Sequence, residues 1–418
     1  MGKRLWLAVL TASMLSCAVA EAGEAGDLLR DHLYAGSFED GLAAVAPLVE
    51  AGDMEAHFAT GVLEVAGGFE RLAQGLYRHG AVVPDTTVAG IIFGLGVMEP
   101  PKPANPDPEP ITYDALRAML QDFADSMDRG RAALEQAGES GDYVVTLDPL
   151  LFRMDMNADG TAEESESLGM LLAPMLEPLA APKAKSKGAD TTIGFDRADA
   201  FWLAGYSQIL AAQADFLLAH DFEGLFDAYF HRIFPASGLP MAEAPSGTGS
   251  LVMDSASDMA IADMIAAIHM ADFPVIEPDR LKGVLARLQA VTDFSRRNWE
   301  AILAETDDER ELVPSPDQTS IIPGLDVTEE RVDAWMATLD TADAILAGEL
   351  LVPHWRFSQG FDIKAYFETA TETDLVMIMT GYGALPFLKD GPVADAESFA
   401  EANRAFGNQL IGYAFWFN

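Results

Sequence analysis

Apolar residues recur three and four positions apart along most of this sequence, whereas two-residue alternation bounded by turn residues is scarce. That spacing places side chains on one face of an α-helix, and isolated helices of such length are marginal in water, so their apolar faces must pack together. The longest such stripe comprises Leu281, Leu285, Leu288, Thr292, Ser295, Trp299 and Ile302. We therefore predict a mainly α protein, an irregular body of packed antiparallel helices with little β structure.

Three further stripes predict helices. They run from Leu116 to Met127, from Trp202 to His220 and from Val332 to Ile345. Thr112 is suited to cap the first of these helices, and Asp326 with Glu329 three residues later forms a capping pair for the last. Short extended pieces are expected at 144–147 and 350–352, too small to organise a sheet.

Proline-rich stretches divide the chain into segments. We assign 1–20 to a signal peptide, 21–98 to an N-terminal helical segment, 99–111 to a proline-rich linker, 112–177 to a helix plus a loop, 178–195 to a second linker and 196–418 to a C-terminal helical region. Composition does not change across these breaks, so we expect 196–418 to form one body with 21–177. An alternative for the N-terminal segment is a set of helical-hairpin repeats, although no fixed period recurs.

The first twenty residues have the pattern of an export signal. Lys3 and Arg4 precede the apolar run 5–15, and Ala18-Val19-Ala20 offers the small residues that a signal peptidase requires. The run is shorter than a membrane-spanning helix needs, and no later stretch qualifies, so we expect no integral membrane span in the mature chain. The sequence predicts a periplasmic or secreted protein. Processing as a lipoprotein at Cys17 is the alternative.

Composition excludes two classes of partner and one class of scaffold. The formal net charge of −40 repels phosphate backbones, so nucleic acid is not an expected partner, and anionic membrane surfaces are disfavoured for the same reason. The single cysteine lies in the signal segment, which excludes a disulfide framework and a thiolate metal site.

The segment Asp155-Met156-Asn157-Ala158-Asp159-Gly160-Thr161-Ala162-Glu163-Glu164-Ser165-Glu166 fills every defining position of a twelve-residue pattern and resembles an EF-hand calcium loop. Calcium prefers six to eight hard oxygen ligands at about 2.3 to 2.6 Å. The resemblance implies a metal site for Ca²⁺ formed by Asp155, Asn157, Asp159, Thr161, Glu163 and Glu166. Gly160 would permit the sharp turn inside the loop.

The segment departs from the EF-hand pattern in two ways. Loop position eight, where an aliphatic residue usually pairs with a second hand, is Ala162, and the sequence contains no second loop. Asp148-Pro149 leaves little room for an incoming helix, so a single turn or a strand is expected there instead. Both departures favour a lone structural calcium site over a paired calcium sensor.

Familiar catalytic motifs are missing from the sequence: it contains no HExxH, no GxSxG and no phosphate-binding loop. We therefore expect an exported calcium-binding protein that acts as a non-catalytic binding or scaffold protein, whose protein partner the sequence does not identify. Two alternatives stay open. One is a calcium-stabilised extracytoplasmic hydrolase with its site near His354 and Arg356, and the other is a periplasmic helical-repeat adaptor.

Overall fold

A computed structural model describes most of the chain. It covers residues 23–82, 105–171, 191–236, 238–241, 252–308, 310–321, 327–394, 400, 403–404, 406 and 410–418. The signal segment 1–20 with Cys17, most of the second linker and Asp326 lie outside these residues. Within them the protein is mainly α, which confirms the predicted fold class.

Twelve labelled helices are used below. They are α1 (Glu24–Ala35), α2 (Phe38–Glu50), α3 (Met54–Arg78), α4 (Tyr113–Glu139), α5 (Arg197–Leu218), α6 (Glu223–Tyr229), α7 (Ser255–His269), α8 (Pro278–Ile302), α9 (Glu329–Leu346), α10 (Ile363–Thr369), α11 (Leu375–Thr380) and α12 (Leu410–Phe417).

The described strands are short and entirely antiparallel. They are β1 (Val145–Leu147), β2 (Ile193–Phe195), β3 (Asp272–Pro274), β4 (Val352–Pro353), β5 (Gly360–Phe361), β6 (Glu372–Asp374) and β7 (Leu388–Lys389). β1 pairs with β2, β3 pairs with β6, and β5 lies between β4 and β7. The two extended pieces expected from the sequence correspond to β1 and β4.

The four longest helices pack side by side in the order α3, α4, α5, α8. Each runs antiparallel to its neighbour. At the α3–α4 interface, for example, Gly61 lies beside Gly130 while Gly75, further along α3, lies beside Met119, earlier in α4. Glycine at positions 61 and 130 lets the two backbones approach closely, because a side chain at either position would collide with the facing helix.

Ion pairs join three of these helices. The Nε of Arg287 on α8 lies 2.7 Å from an Asp215 oxygen on α5, and its Nη1 lies 2.6 Å from Asp128 on α4. Arg280 approaches the other Asp215 oxygen at 2.9 Å. Asp215 is buried, and the two guanidinium groups compensate its desolvation.

The sequence predicted the start of α4 correctly and the cap of α9 incorrectly. α4 begins as predicted, with Thr112 Oγ1 accepting a hydrogen bond from the Ala115 N–H. α9 begins at Glu329 with Thr328 as its cap, so the capping pair of Asp326 and Glu329 was wrong. Thr328 has extended backbone directly before the first helical residue, and its Oγ1 accepts a hydrogen bond from the Arg331 N–H at 3.3 Å, so it holds the cap position that was predicted for Asp326.

The apolar face predicted for α5 was only partly correct. Trp202, Tyr206 and Phe216 are half-buried, and Gln213 is exposed. The most deeply buried positions of this helix are small, among them Ala200, Ala204 and Ala211. α5 lies between α4 and α8, so it is packed on two sides. Small residues allow both neighbouring helices to approach closely. A single wide apolar stripe would suit a helix that is covered on one side only.

The largest apolar cluster draws on both ends of the chain. It includes Leu29 and Phe58 from the N-terminal helices, Trp299 from α8, and Tyr413 and Phe417 from α12. None of the helices in the described residues is long and apolar enough to span a membrane.

Candidate metal centre

The loop 155–166 is closed by short pairing of the segments on either side of it. The Leu168 N–H donates to the Phe152 carbonyl at 2.8 Å, and Arg153 and Ser167 form an antiparallel bridge. Before the loop come β1 and a single 3₁₀ turn at Pro149–Leu151. The incoming segment is therefore a strand and one turn, the form expected from Asp148-Pro149, because an aspartate cap followed by proline starts a new turn.

Inside the loop, Asp155 organises the first half. Its Oδ1 accepts a hydrogen bond from the Asp159 N–H at 3.1 Å, and its Oδ2 accepts one from the Gly160 N–H at 2.8 Å. Asn157 Oδ1 also accepts from the Asp159 N–H, at 2.8 Å. Ala158 and Gly160 have φ values of 58° and 89°, so the chain turns twice through the left-handed region. Gly160, at loop position six, thus has the left-handed backbone conformation that the sequence pattern predicted for a sharp turn.

Glu166 organises the second half. Its Oε1 accepts from the Met156 N–H at 3.1 Å, and its Oε2 accepts from the Glu163 N–H at 3.0 Å. The carboxylate of loop position twelve therefore reaches across to loop positions two and nine. Glu166 is 4% exposed and Asp155 is 9% exposed, so the residues at both ends of the loop are buried at its base.

The remaining predicted ligands, Asn157, Asp159, Thr161 and Glu163, lie nearer the solvent, at the rim of the loop. Asn157 is half-buried, whereas Asp159, Thr161 and Glu163 are exposed. Asp159 Oδ1 accepts from the Thr161 N–H at 2.9 Å, which keeps that carboxylate beside the loop. In the described residues, no three carboxylates of the loop bring oxygens within 4.8 Å of one another. The rim side chains are thus spread more widely than the ligands of one bound ion would be.

Helices α1 to α3 support the loop in place of a second hand. The Arg153 N–H donates to the Leu33 carbonyl at 3.0 Å, and Gln74 on α3 donates to the Asp155 carbonyl at 2.7 Å. Ala162, at loop position eight, packs against Gly36 in the turn between α1 and α2 so closely that a side chain at position 36 would collide with it. The small residue at position 162 is explained by this contact.

Glu70 of α3 is a neighbour of the loop that the sequence did not reveal. It is half-buried, and burial raises the pKa of its carboxyl to about 7. The nearby Asp155 carboxylate adds to this rise in pKa, and a hydrogen bond from the Asp155 backbone N–H opposes it. Glu70 lies on an amphipathic helix more than eighty residues before the loop, and no local motif connects the two.

A second group of carboxylates lies elsewhere. In the described part of the chain, Asp196, Glu305 and Glu311 are the one set of three that places ligand oxygens within 4.8 Å of each other. None of them belongs to the predicted calcium loop, and Asp196 lies more than a hundred residues before the other two.

His354 and Arg356, the residues named for a hydrolase site, have structural partners. His354 Nε2 donates to the Ile378 carbonyl and its Nδ1 accepts from the Arg356 N–H, both at 3.2 Å. Arg356 Nη1 donates to the Thr380 carbonyl at 2.7 Å, and Trp355 Nε1 donates to Met379 at 2.8 Å. These side chains attach the segment after β4 to the end of α11.

A hydroxyl and a histidine do meet at Thr373 and His220, but both are almost completely buried. His220 Nδ1 donates to the Phe216 carbonyl at 2.6 Å, so in the neutral ring Nε2 accepts from the Thr373 hydroxyl at 2.7 Å. Thr373 Oγ1 in turn accepts from the Tyr366 hydroxyl at 2.6 Å. Burial lowers the pKa of His220 below its ordinary value and so favours the neutral ring.

We expect His220 to make stability depend on acid pH. Burial lowers its pKa in the folded state below the ordinary value of 6.5, so the unfolded state binds a proton more readily as pH falls. Its stabilising contribution is complete above pH 6.5 and is lost as pH falls below it. A His220→Gln variant should be about 1 to 3 kcal/mol less stable than the native protein at pH 7.5, because buried hydrogen bonds are broken. Urea unfolding at pH 5, 6 and 7.5 should show this difference shrinking towards pH 5, and a constant difference would contradict the assignment.

No protein-family profile, curated protein or solved structure matches the chain. The function of each candidate site is therefore inferred from its own residues and their geometry.

Proposed function

We propose that this is an exported helical protein that binds one calcium ion in the loop 155–166, and that the ion has a structural role in a non-catalytic binding or scaffold protein. The observation that carries the proposal is the hydrogen bonding of Asp155 and Glu166 to the loop backbone. These bonds hold both end carboxylates at the base of the loop, in position to bind a cation that enters it.

Calcium would complete the loop from the rim inwards. The exposed side chains of Asp159 and Glu163 would turn towards the ion, with the Asn157 side chain and the Thr161 carbonyl as further oxygen ligands. The four ligand carboxylates lie within twelve residues and repel one another unless a cation lies between them. Binding would replace this repulsion by attraction to a common centre.

The surroundings of the loop favour a structural site over a sensor. A sensor needs a helix pair that opens on binding, whereas this loop follows a strand and a single turn. The loop contacts Gln74 through the Asp155 carbonyl and Gly36 through Ala162, and Arg153, just before the loop, donates to the Leu33 carbonyl. An ion in the loop would thus attach residues 152–168 to helices α1 to α3.

Thermal unfolding of the protein with calcium or with a chelator tests the proposal. Calcium at a hundredfold excess over the dissociation constant should stabilise the protein by about 2.7 kcal/mol, and by only a few tenths where the two are equal. Asp155→Ala and Glu166→Gln should leave the midpoint nearly unmoved by calcium.

The matched control is Glu164→Gln, which removes a carboxylate from the same loop at a position that offers no ligand. Glu164 is exposed, and its variant should respond to calcium as the native protein does. An equal response in all four proteins would reject the loop as the binding site.

The hydrolase alternative gains no support from the side chains around His354, because in the described residues its ring nitrogens contact backbone groups. Export is proposed from the sequence of residues 1–20 alone.

A further inference from the structure

Three carboxylates converge where β2, the start of α5 and the segment after α8 come together. Asp196 caps α5, Glu305 follows the end of α8, and Glu311 lies where the chain forms a parallel bridge with Gly194 of β2. One oxygen of each carboxylate lies within 4.8 Å of the other two. Oxygens bound to one calcium ion at about 2.3 to 2.6 Å are at most about 5 Å apart, so the spacing fits a single shared cation.

Hydrogen bonds hold these side chains from the outside of the cluster. Asp196 Oδ1 accepts from the Ala198 N–H at 2.7 Å, and Glu305 Oε2 accepts from Gln318 Nε2 at 3.1 Å. Glu311 is 6% exposed. The nearby cation Arg310 directs its Nε to the Thr192 carbonyl at 2.7 Å.

A separate observation concerns the inner oxygen of Glu305. Its Oε1 is shielded from solvent and has no hydrogen-bond partner. The carboxyl of Glu305 lies within hydrogen-bonding reach of Asp196, yet two ionised carboxylates have no donor between them. Burying such an oxygen without a partner is costly, and a proton or a cation between the two groups would remove that cost.

A proton accounts for less of the arrangement than a cation does. One proton bridges a single pair of oxygens, whereas a third carboxylate, Glu311, also points into the cluster, and a fourth, Asp199, is buried beside Asp196. A divalent ion would neutralise two charges and contact three side chains at once.

We propose that Asp196, Glu305 and Glu311 form a second metal site, distinct from the loop 155–166, that binds one hard divalent cation of the calcium, magnesium or manganese class. The all-oxygen ligand set defines this class. An ion here would join the start of α5 to the chain that leaves α8.

Manganese titration of a protein whose loop is disabled tests this site by itself. In the background Asp155→Ala with Glu166→Gln, isothermal titration and the paramagnetic resonance signal of free Mn²⁺ should report saturable uptake of one ion. Adding Glu305→Gln should weaken that uptake about tenfold or more. Glu311→Gln is the second variant and should do the same. Glu300→Gln, an exposed carboxylate near the end of α8, controls for the general loss of negative charge and should leave uptake unchanged.

Two outcomes would overturn the site. One is the absence of saturable uptake in the loop-disabled protein, which would mean that a shared proton alone occupies the cluster. The other is uptake that survives both Glu305→Gln and Glu311→Gln. Because the loop and the cluster are disabled by different substitutions, failure at one site is distinguishable from failure at the other.

Discussion

Replacing Trp299 by alanine should reduce the free energy of unfolding by about 3 to 5 kcal/mol, the cost of removing a large aromatic side chain from a close-packed core. Trp299 is fully buried, and its ring contacts that of Phe417 edge to face with centroids 4.7 Å apart. Its Nε1 also donates to the Phe417 carbonyl at 3.0 Å. The substitution therefore leaves a cavity and removes a main attachment of α12. Urea unfolding followed by circular dichroism measures the loss.

A second tryptophan provides the matched control. Trp355 is 78% exposed and donates a hydrogen bond to the Met379 carbonyl, so Trp355→Ala should cost less than about 1 kcal/mol. The same atoms are deleted in both variants, and only their surroundings differ. Comparable losses would mean that the C-terminal helix does not depend on its contact with α8.

The sequence was most informative where a pattern is local. The stripe from Leu281 to Ile302 recovered α8 almost completely, because three-and-four spacing depends only on the geometry of one helix. Thr112 was recognised as a cap because the acceptor and the N–H it satisfies are three residues apart. The EF-hand-like pattern of the loop 155–166 is also local, since all its proposed ligand positions fall within twelve consecutive residues, and calcium binding there stays a prediction.

Features that depend on contacts between distant segments were missed. The burial pattern of α5 depends on having a helix on each side of it, and a single sequence does not reveal which helices are neighbours. Glu70 and Gln74 meet Asp155 across about eighty positions of sequence. The cluster of Asp196 and Glu305 joins residues more than a hundred positions apart, and no motif with fixed spacing describes such a pair.

The contact between the loop 155–166 and the α1–α2 turn links the fold to the proposed function, and it leads to the second prediction. Gly36 has a φ of 65°, and a Cβ there would collide with the Ala162 side chain and lie 3.2 Å from the Arg153 carbonyl oxygen. Gly52, with a φ of 80°, has open space around it. Both glycines therefore have a left-handed backbone conformation, but only Gly36 lies against the loop.

Gly36→Ala should reduce the free energy of unfolding by about 2 to 5 kcal/mol, of which about 1 to 2 come from the left-handed backbone and the rest from overpacking against the loop. Gly52→Ala should incur only the backbone cost. Because the collision pushes the loop away from α1 and α2, Gly36→Ala should also shrink the calcium-induced rise in the thermal midpoint, whereas Gly52→Ala should preserve it. Adding Ala162→Gly to Gly36→Ala should restore part of both losses by removing the colliding methyl group. If the two single variants lose equal stability and respond equally to calcium, the loop does not depend on this contact, and an ion bound in it would not stabilise the N-terminal helices.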